Sequence, residues 1–355
     1  MLDCAPPPEI FTAARLQAYG CAVVAVYVGL LVLFYWRGIW IVGPDGAPIY
    51  TDFACAWAAT VQALHGGVAR LYQPATFAAA QAALLGAGRY FYPHWPYPPT
   101  FLLVMAPFAA LPYGWAFIAW DVLSLFGFAG VAFLIVRRSP AIALTLASPF
   151  TFWNFLAGQN GFVTGALLGG GLLALQQRPV LAGVFFGCLT YKPQFGILIP
   201  VALAAAGRWR AIAGAAATAG LLAAAAAAVF GIGAWAAFPH QLAAQMNENI
   251  PAAGATGAVA RWGYVQTIYG LVRLLHGDAQ SAWFCQIVSA SALAGTVWSV
   301  WRSPARYALQ ASTLSAAALI ATPYAFAYDM AAIAVPAAFL ARDQIECGLL
   351  RGERA

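Results

Sequence analysis

Residues 20–36 read GCAVVAVYVGLLVLFYW, an uninterrupted apolar run that stops at Arg37. A helix crosses the hydrocarbon core of a bilayer with about 20 apolar residues, and a charge-free run of about 18 already qualifies. With its flanks, the run predicts a first membrane span at roughly 19–42. It does not read as a cleavable signal. Residues 1–19 are too long and too acidic for the leader of one, and no small-residue cleavage site follows the run.

The pattern recurs along the chain. Apolar runs at 140–157, 160–176, 211–231, 281–301 and 307–323 each predict a further span. Between 179 and 207 the chain is apolar except for Lys192, which is followed by Pro193. Two half-length helices meeting at a Lys-Pro break fit this stretch better than one span with a buried lysine. The last segment, 330–341, is short and contains Pro336. Composition agrees: of 355 residues, 63% are hydrophobic and only 8% charged, with a mean hydropathy of +0.76. Soluble domains carry about 25% charged residues, so this chain cannot make a soluble skin, and it is too apolar to be disordered. Continuous apolar runs also exclude a membrane β-barrel, whose strands alternate apolar with polar residues. The predicted fold is all-α, a polytopic integral membrane protein with about nine to twelve transmembrane or re-entrant helices.

Seventeen Lys and Arg face 11 Asp and Glu, and every cation but Lys192 is arginine. The arginines are scattered singly or in pairs, which is the look of cytoplasmic loop ends and not of a nucleic-acid surface. Placing Arg15, Arg137, Arg138, Arg178, Arg208, Arg210, Arg302, Arg306, Arg342, Arg351 and Arg354 inside leaves Arg37, Arg70, Arg89, Lys192, Arg261 and Arg273 outside. The domain organisation follows: a cytoplasmic tail at 1–18, one membrane-embedded domain at 19–341, and a cytoplasmic tail at 342–355. Loops 43–96 and 232–280 are then external, with amphipathic stretches at 52–65 and 264–276 that predict interfacial helices. Residues 97–136 hold one charge, Asp121, and are long enough for two spans. Two spans would put Arg137-Arg138 outside, so 97–111 is expected to be a short re-entrant or juxtamembrane helix. No internal repeat is visible, which counts against an inverted-repeat transporter. The six cysteines (4, 21, 55, 188, 285 and 347) have neither disulfide-framework nor zinc-site spacing, and no His/Asp cluster has metal-ligand spacing.

Charges in or beside a membrane are costly and usually functional, so the scarce acids guide the search for chemistry. Asp52 follows span 1 in Tyr50-Thr51-Asp52-Phe53. Either it or Thr51 caps the next helix, or it is a carboxylate held at the external surface and free to act as a general base. His94-Trp95-Pro96-Tyr97-Pro98-Pro99 opens a helix at the level of an interfacial aromatic belt. Gly158-Gln159-Asn160-Gly161 is an external turn. In Tyr191-Lys192-Pro193-Gln194 a lysine sits at a helix break, where snorkelling to the surface is difficult, and a fixed cation there suits a phosphate. Arg261-Trp262…Gln266-Thr267 lies in the second external loop, and Thr322-Pro323-Tyr324…Tyr328-Asp329 at the external end of a span. Every polar cluster except Asp121 converges on one side of the membrane. A transporter or lipid flippase using the cationic site at Lys192 is the rival reading.

The ordered set resembles bacterial glycosyltransferase family 87, integral membrane enzymes with a GT-C-like helical bundle. It runs from Asp52-Phe53…Trp57 and Leu71-Tyr72…Pro74 to Tyr97-Pro98-Pro99-Thr100…Leu111-Pro112-Tyr113. It continues through Gly158-Gln159-Asn160-Gly161, Tyr191-Lys192-Pro193-Gln194, Arg208-Trp209-Arg210, Trp262…Gln266-Thr267 and Thr322-Pro323-Tyr324…Tyr328-Asp329. The resemblance implies transfer of a sugar, mannose or similar, from a polyprenyl-phosphate donor to a lipid-linked or glycan acceptor at the external face of the bacterial inner membrane. It implies no cofactor and leaves a divalent metal requirement open. It further implies that Asp52 is the catalytic base of an inverting displacement, with Lys192 and Arg261 binding the donor phosphate. Tyr97, Gln159, Asn160, Gln194, Trp262, Gln266, Tyr324, Tyr328 and Asp329 are the remaining candidate substrate-site residues.

Overall fold

The computed structural model describes residues 12–86, 95–248 and 264–348. These residues form helices and short 3-10 turns, with no strand beyond isolated bridges. Four helices are long and apolar enough to cross a membrane: α1 (Ala13–Trp36), α5 (Tyr113–Val136), α11 (Trp209–Phe230) and α14 (Ala279–Arg302). The first three need little explanation beyond their unbroken apolar content. Capping fixes the starts of two of the four: Thr12 accepts from Arg15 N–H, and Asp278 accepts from Ser281 N–H at 2.6 Å. Span 1 therefore begins earlier than predicted and ends at Arg37. Gly38 turns left-handed after it, and Trp40 and Ile41 fold back to be buried.

Between these lie shorter helices: α2 (Asp52–Gly66), α3 (Pro74–Leu85), α4 (Pro99–Ala109), α6 (Pro140–Ala147), α7 (Pro149–Ala157) and α8 (Gly161–Ala174). They continue with α9 (Pro179–Cys188), α10 (Ile199–Ala205), α12 (Ile232–Glu248), α13 (Ile268–Leu274), α15 (Tyr307–Ala321) and α16 (Ala334–Cys347). At 1.5 Å per residue, α4 is about 16 Å long, too short to cross a hydrocarbon core of about 30 Å. The expected interfacial helices at 52–65 and 264–276 exist as α2 and α13.

The predicted span at 140–157 is not continuous. α6 and α7 meet at a 61° bend, because Pro149 has no N–H to donate and forces Ser148 into an extended conformation. The Thr151 hydroxyl donates to the carbonyl of Thr145 at 2.6 Å, so this polar group inside the bundle has a partner. The predicted spans at 160–176 and 307–323 are helices of 14 and 15 residues, stopped by Asn160 at one start and Thr322-Pro323 at one end. The break expected at Lys192-Pro193 is present: α9 and α10 are joined by 3-10 turns at Leu189–Tyr191 and Pro193–Gly196. The C-terminal helix reaches beyond 341 to Cys347, into the expected tail. Arg306 reaches Asp343 at 2.8 Å and Arg342 reaches Glu346 at 2.8 Å, which ties this last stretch to the body.

Short helices have a consequence for the interior. α2, α4 and α8 begin, α7 and α15 end, and the α9–α10 connection unwinds, all in one neighbourhood. A 3-10 segment at Ala327–Ile333 packs on α7 and α8 there. Irregular backbone at membrane depth is tolerated only where protein or a water-filled cavity surrounds it. The stopped helices thus leave a polar recess inside an apolar bundle.

Candidate active site

The recess is assembled from five separate stretches. Asp52 is the first residue of α2, but it is not the cap. The Thr51 side chain takes that duty, accepting from Ala54 N–H at 3.3 Å and sharing a hydrogen bond with the Tyr113 hydroxyl at 3.1 Å. The Asp52 carboxylate is left to face outward from the helix start, where water reaches it. Protein nonetheless surrounds it closely enough that desolvation raises its carboxyl above the ordinary value. A hydrogen bond from the Gln159 side chain and the positive charge of Lys192 oppose that rise, and the negative charge of Asp329 adds to it.

Across the recess, Lys192 and Asp329 form a buried ion pair of 2.6 Å, each 5% exposed or less. Lys192 comes from the unwound α9–α10 junction and Asp329 from the 3-10 segment after α15. The other Asp329 oxygen accepts from Phe326 N–H at 3.0 Å, which fixes the turn that carries it. The Lys192 ammonium also sits over three rings, 5.4 Å from Tyr328, 5.7 Å from Phe195 and 5.8 Å from Tyr97. The Tyr97 hydroxyl donates to Gln159 Oε1 at 3.2 Å, and burial pushes that hydroxyl well above its ordinary pKa, so it remains a neutral donor.

The Gly158–Gly161 turn supplies Gln159 and Asn160. Gly158 adopts φ +66°, which glycine alone enters without strain. A Cβ there would lie 2.5 Å from the Cβ of Phe53 and 2.8 Å from the Phe117 ring. Gly158→Ala is therefore expected to lower stability by more than about 1 kcal/mol, read as a lower melting temperature in detergent; an unchanged value would show that the turn tolerates a side chain. The Gly158 carbonyl accepts from Trp120 Nε1 at 3.1 Å. Asn154, fully buried in α7, donates to the Gln159 carbonyl at 2.9 Å and accepts from Gly161 N–H at 2.8 Å. Sequence reading passed over Asn154, although a lone asparagine in an apolar run was a usable signal. It also passed over Thr51 as the cap that frees Asp52, leaving the choice between the two open.

Asp52, Tyr97, Gln159, Asn160, Lys192, Tyr328 and Asp329 thus meet at one place. Tyr324 is a neighbour of Tyr328, its ring 4.9 Å from Phe326. Gln194 is half-buried at the Lys192 break. Gln266 is elsewhere. With Val265, Leu271, Leu274, Leu319, Met330 and others it lines a cavity of 460 Å³ with mainly aliphatic walls. Met330, next to Asp329, makes this cavity and the recess share the 3-10 segment as a wall. Arg261 and Trp262 lie outside the described residues. Asp121, in α5, is fully buried with both carboxylate oxygens unpartnered among the described residues. No group of three metal-ligating side chains occurs among the described residues either.

Neither a curated protein nor a solved structure matches this chain. The profile of glycosyltransferase family 87 does, over residues 95–323. The matched stretch holds Tyr97, Gln159, Asn160, Lys192, Gln194 and Gln266, while Asp52 precedes it and Tyr324, Tyr328 and Asp329 follow. It covers well over half of the 355 residues, so the chain belongs to glycosyltransferase family 87 and is a glycosyltransferase.

Proposed function

We propose that this glycosyltransferase moves one sugar, mannose or a similar hexose, from polyprenyl phosphate to a lipid-linked or glycan acceptor at the external face of the bacterial inner membrane. Asp52 is the general base. The acceptor oxygen attacks the anomeric carbon as its proton passes to Asp52. The bond from that carbon to the phosphate oxygen breaks, polyprenyl phosphate departs, and the configuration inverts. Phosphate is already a good leaving group, so the main needs are alignment and a cation beside it. Lys192 serves as that cation. Its ammonium has three donors, and one suffices for Asp329. Arg261 is the second cation of the reading, and Tyr97, Asn160, Gln194, Trp262, Gln266, Tyr324, Tyr328 and Asp329 form the surrounding substrate site. The aliphatic cavity behind Met330 suits the prenyl chain.

The observation that carries this reading is the pairing of an uncapping, water-accessible Asp52 with a buried cation across a recess in a membrane bundle. Membranes holding the protein, given radiolabelled polyprenyl-phosphate sugar, should yield a labelled glycolipid or glycan of inverted anomeric configuration. Retained configuration, or transfer from a nucleotide sugar with no prenyl intermediate, would overturn it. The pH profile follows from the site. A base must be ionised to act, so kcat/KM falls as pH drops through the Asp52 pKa. Since desolvation raises that pKa above its ordinary value of about 3.9, the acid limb is expected above this value. The groups facing Asp52 are Gln159, Lys192, Asp329, Cys55, Tyr97 and Tyr328. An acid limb at or below the ordinary carboxylate range would assign the titration to another group.

A further inference from the structure

We infer that Gln159 is a positioning residue whose side-chain amide holds the Asp52 carboxylate in a single orientation for proton transfer; this rests on Asp52 being the base.

The argument begins with Gln159 itself. It is 8% exposed, on a turn held by Asn154 from one side and by Trp120 from the other. Its Oε1 accepts twice, from the Tyr97 hydroxyl at 3.2 Å and from Asn160 N–H at 3.2 Å. With the oxygen engaged by two donors, the amide cannot flip without losing both bonds, and leaving buried donors unmet is costly. The end that meets Asp52 is therefore the NH₂ group, the only end able to donate to a carboxylate.

Asp52 needs such a partner. It stands at a helix start, open to water, and its own cap function has been taken by Thr51. Left alone it would sample several rotamers, whereas productive geometry must be held within about 0.5 Å. One carboxylate oxygen accepts from Gln159, and the other remains for the acceptor hydroxyl. The same hydrogen bond favours the ionised form and so opposes desolvation. Gln159 thereby sets both the direction and the strength of the base, without touching substrate.

Gln159→Glu is the sharpest test. The introduced carboxylate keeps an oxygen for Tyr97 and Asn160 and replaces the donor facing Asp52 by a second acid. Transfer by the full-length protein in membranes should lose on the order of 100-fold in kcat, with donor KM within about twofold of wild type. The acid limb of kcat/KM should move to higher pH, by about one unit or more for two coupled carboxylates. Gln159→Met, which removes donor and acceptor together, should lose kcat in the same sense and move the limb upward by less. Should Gln159→Met fail to fold, Gln159→Glu carries the test alone. Unchanged kcat, a rise in KM with kcat intact, or an unmoved limb would overturn the inference and make Gln159 a substrate-binding or purely structural group. Asp52→Asn, measured in parallel, separates the two readings. Loss there with an unmoved limb in the Gln159 variants defeats only the positioning role, whereas full activity there defeats the base itself.

Discussion

Asp52→Asn should reduce sugar transfer by about 10²- to 10⁴-fold, the usual worth of a positioned general base. The substitution removes the proton acceptor and little else. Thr51 caps α2, so the helix start survives. The asparagine amide matches aspartate in size, and its oxygen can still accept from Gln159. Expression, thermal stability in detergent and donor binding should stay near wild type, so that the loss falls on kcat. Activity should be scored with labelled polyprenyl-phosphate sugar and saturating acceptor. An Asp52→Asn protein that transfers at the wild-type rate would remove Asp52 from the mechanism and direct attention to Asp329, the other acid in a recognisable motif.

Lys192→Ala is expected to fail in two separable ways. Removing one partner of a buried ion pair strands the other. With Asp329 1% exposed, this should destabilise the fold by about 3–5 kcal/mol. Donor binding should also weaken, because the site loses its cation while Asp52 and Asp329 remain negative. The double substitution Lys192→Met with Asp329→Asn separates these effects. It removes both buried charges, so stability should recover much of the loss while donor affinity does not. Melting temperature and donor Kd, measured on the same detergent preparations, report the two outcomes. Wild-type donor affinity in the double variant would take Lys192 out of the phosphate site and leave it a structural partner of Asp329.

The two residues differ in how far they could be read from sequence. Lys192 stood out because it is the one lysine, in an apolar run and beside a proline, and the break predicted there exists. Its partner could not be read: Asp329 is 137 positions away, and no local pattern links them. Asp52 was found by scarcity of acids and its place after span 1, but spacing alone did not decide between capping and catalysis. The tertiary structure adds the Thr51 hydrogen bond, which leaves the carboxylate free for chemistry. At Gly158-Gln159-Asn160-Gly161, turn propensity was legible. The use of that turn was not, because it depends on Trp120, Asn154 and Tyr97 closing on it from three helices. The predicted continuous span at 140–157 erred for a local reason: hydropathy averages over Pro149, whereas the backbone cannot.

What the sequence by itself determined is the medium and the inventory. Burial of apolar side chains in lipid scales with composition and run length, both linear properties of the chain, and so the membrane, the helical class and the few polar motifs follow from it. Which motifs become one site was decided only by tertiary structure. Helices too short to cross, a 61° bend and two 3-10 breaks bring Asp52, Gln159, Lys192 and Asp329 together. Hydrogen bonds and ion pairs act over a few ångströms in space, and positions 52, 159, 192 and 329 become neighbours only when the chain has folded.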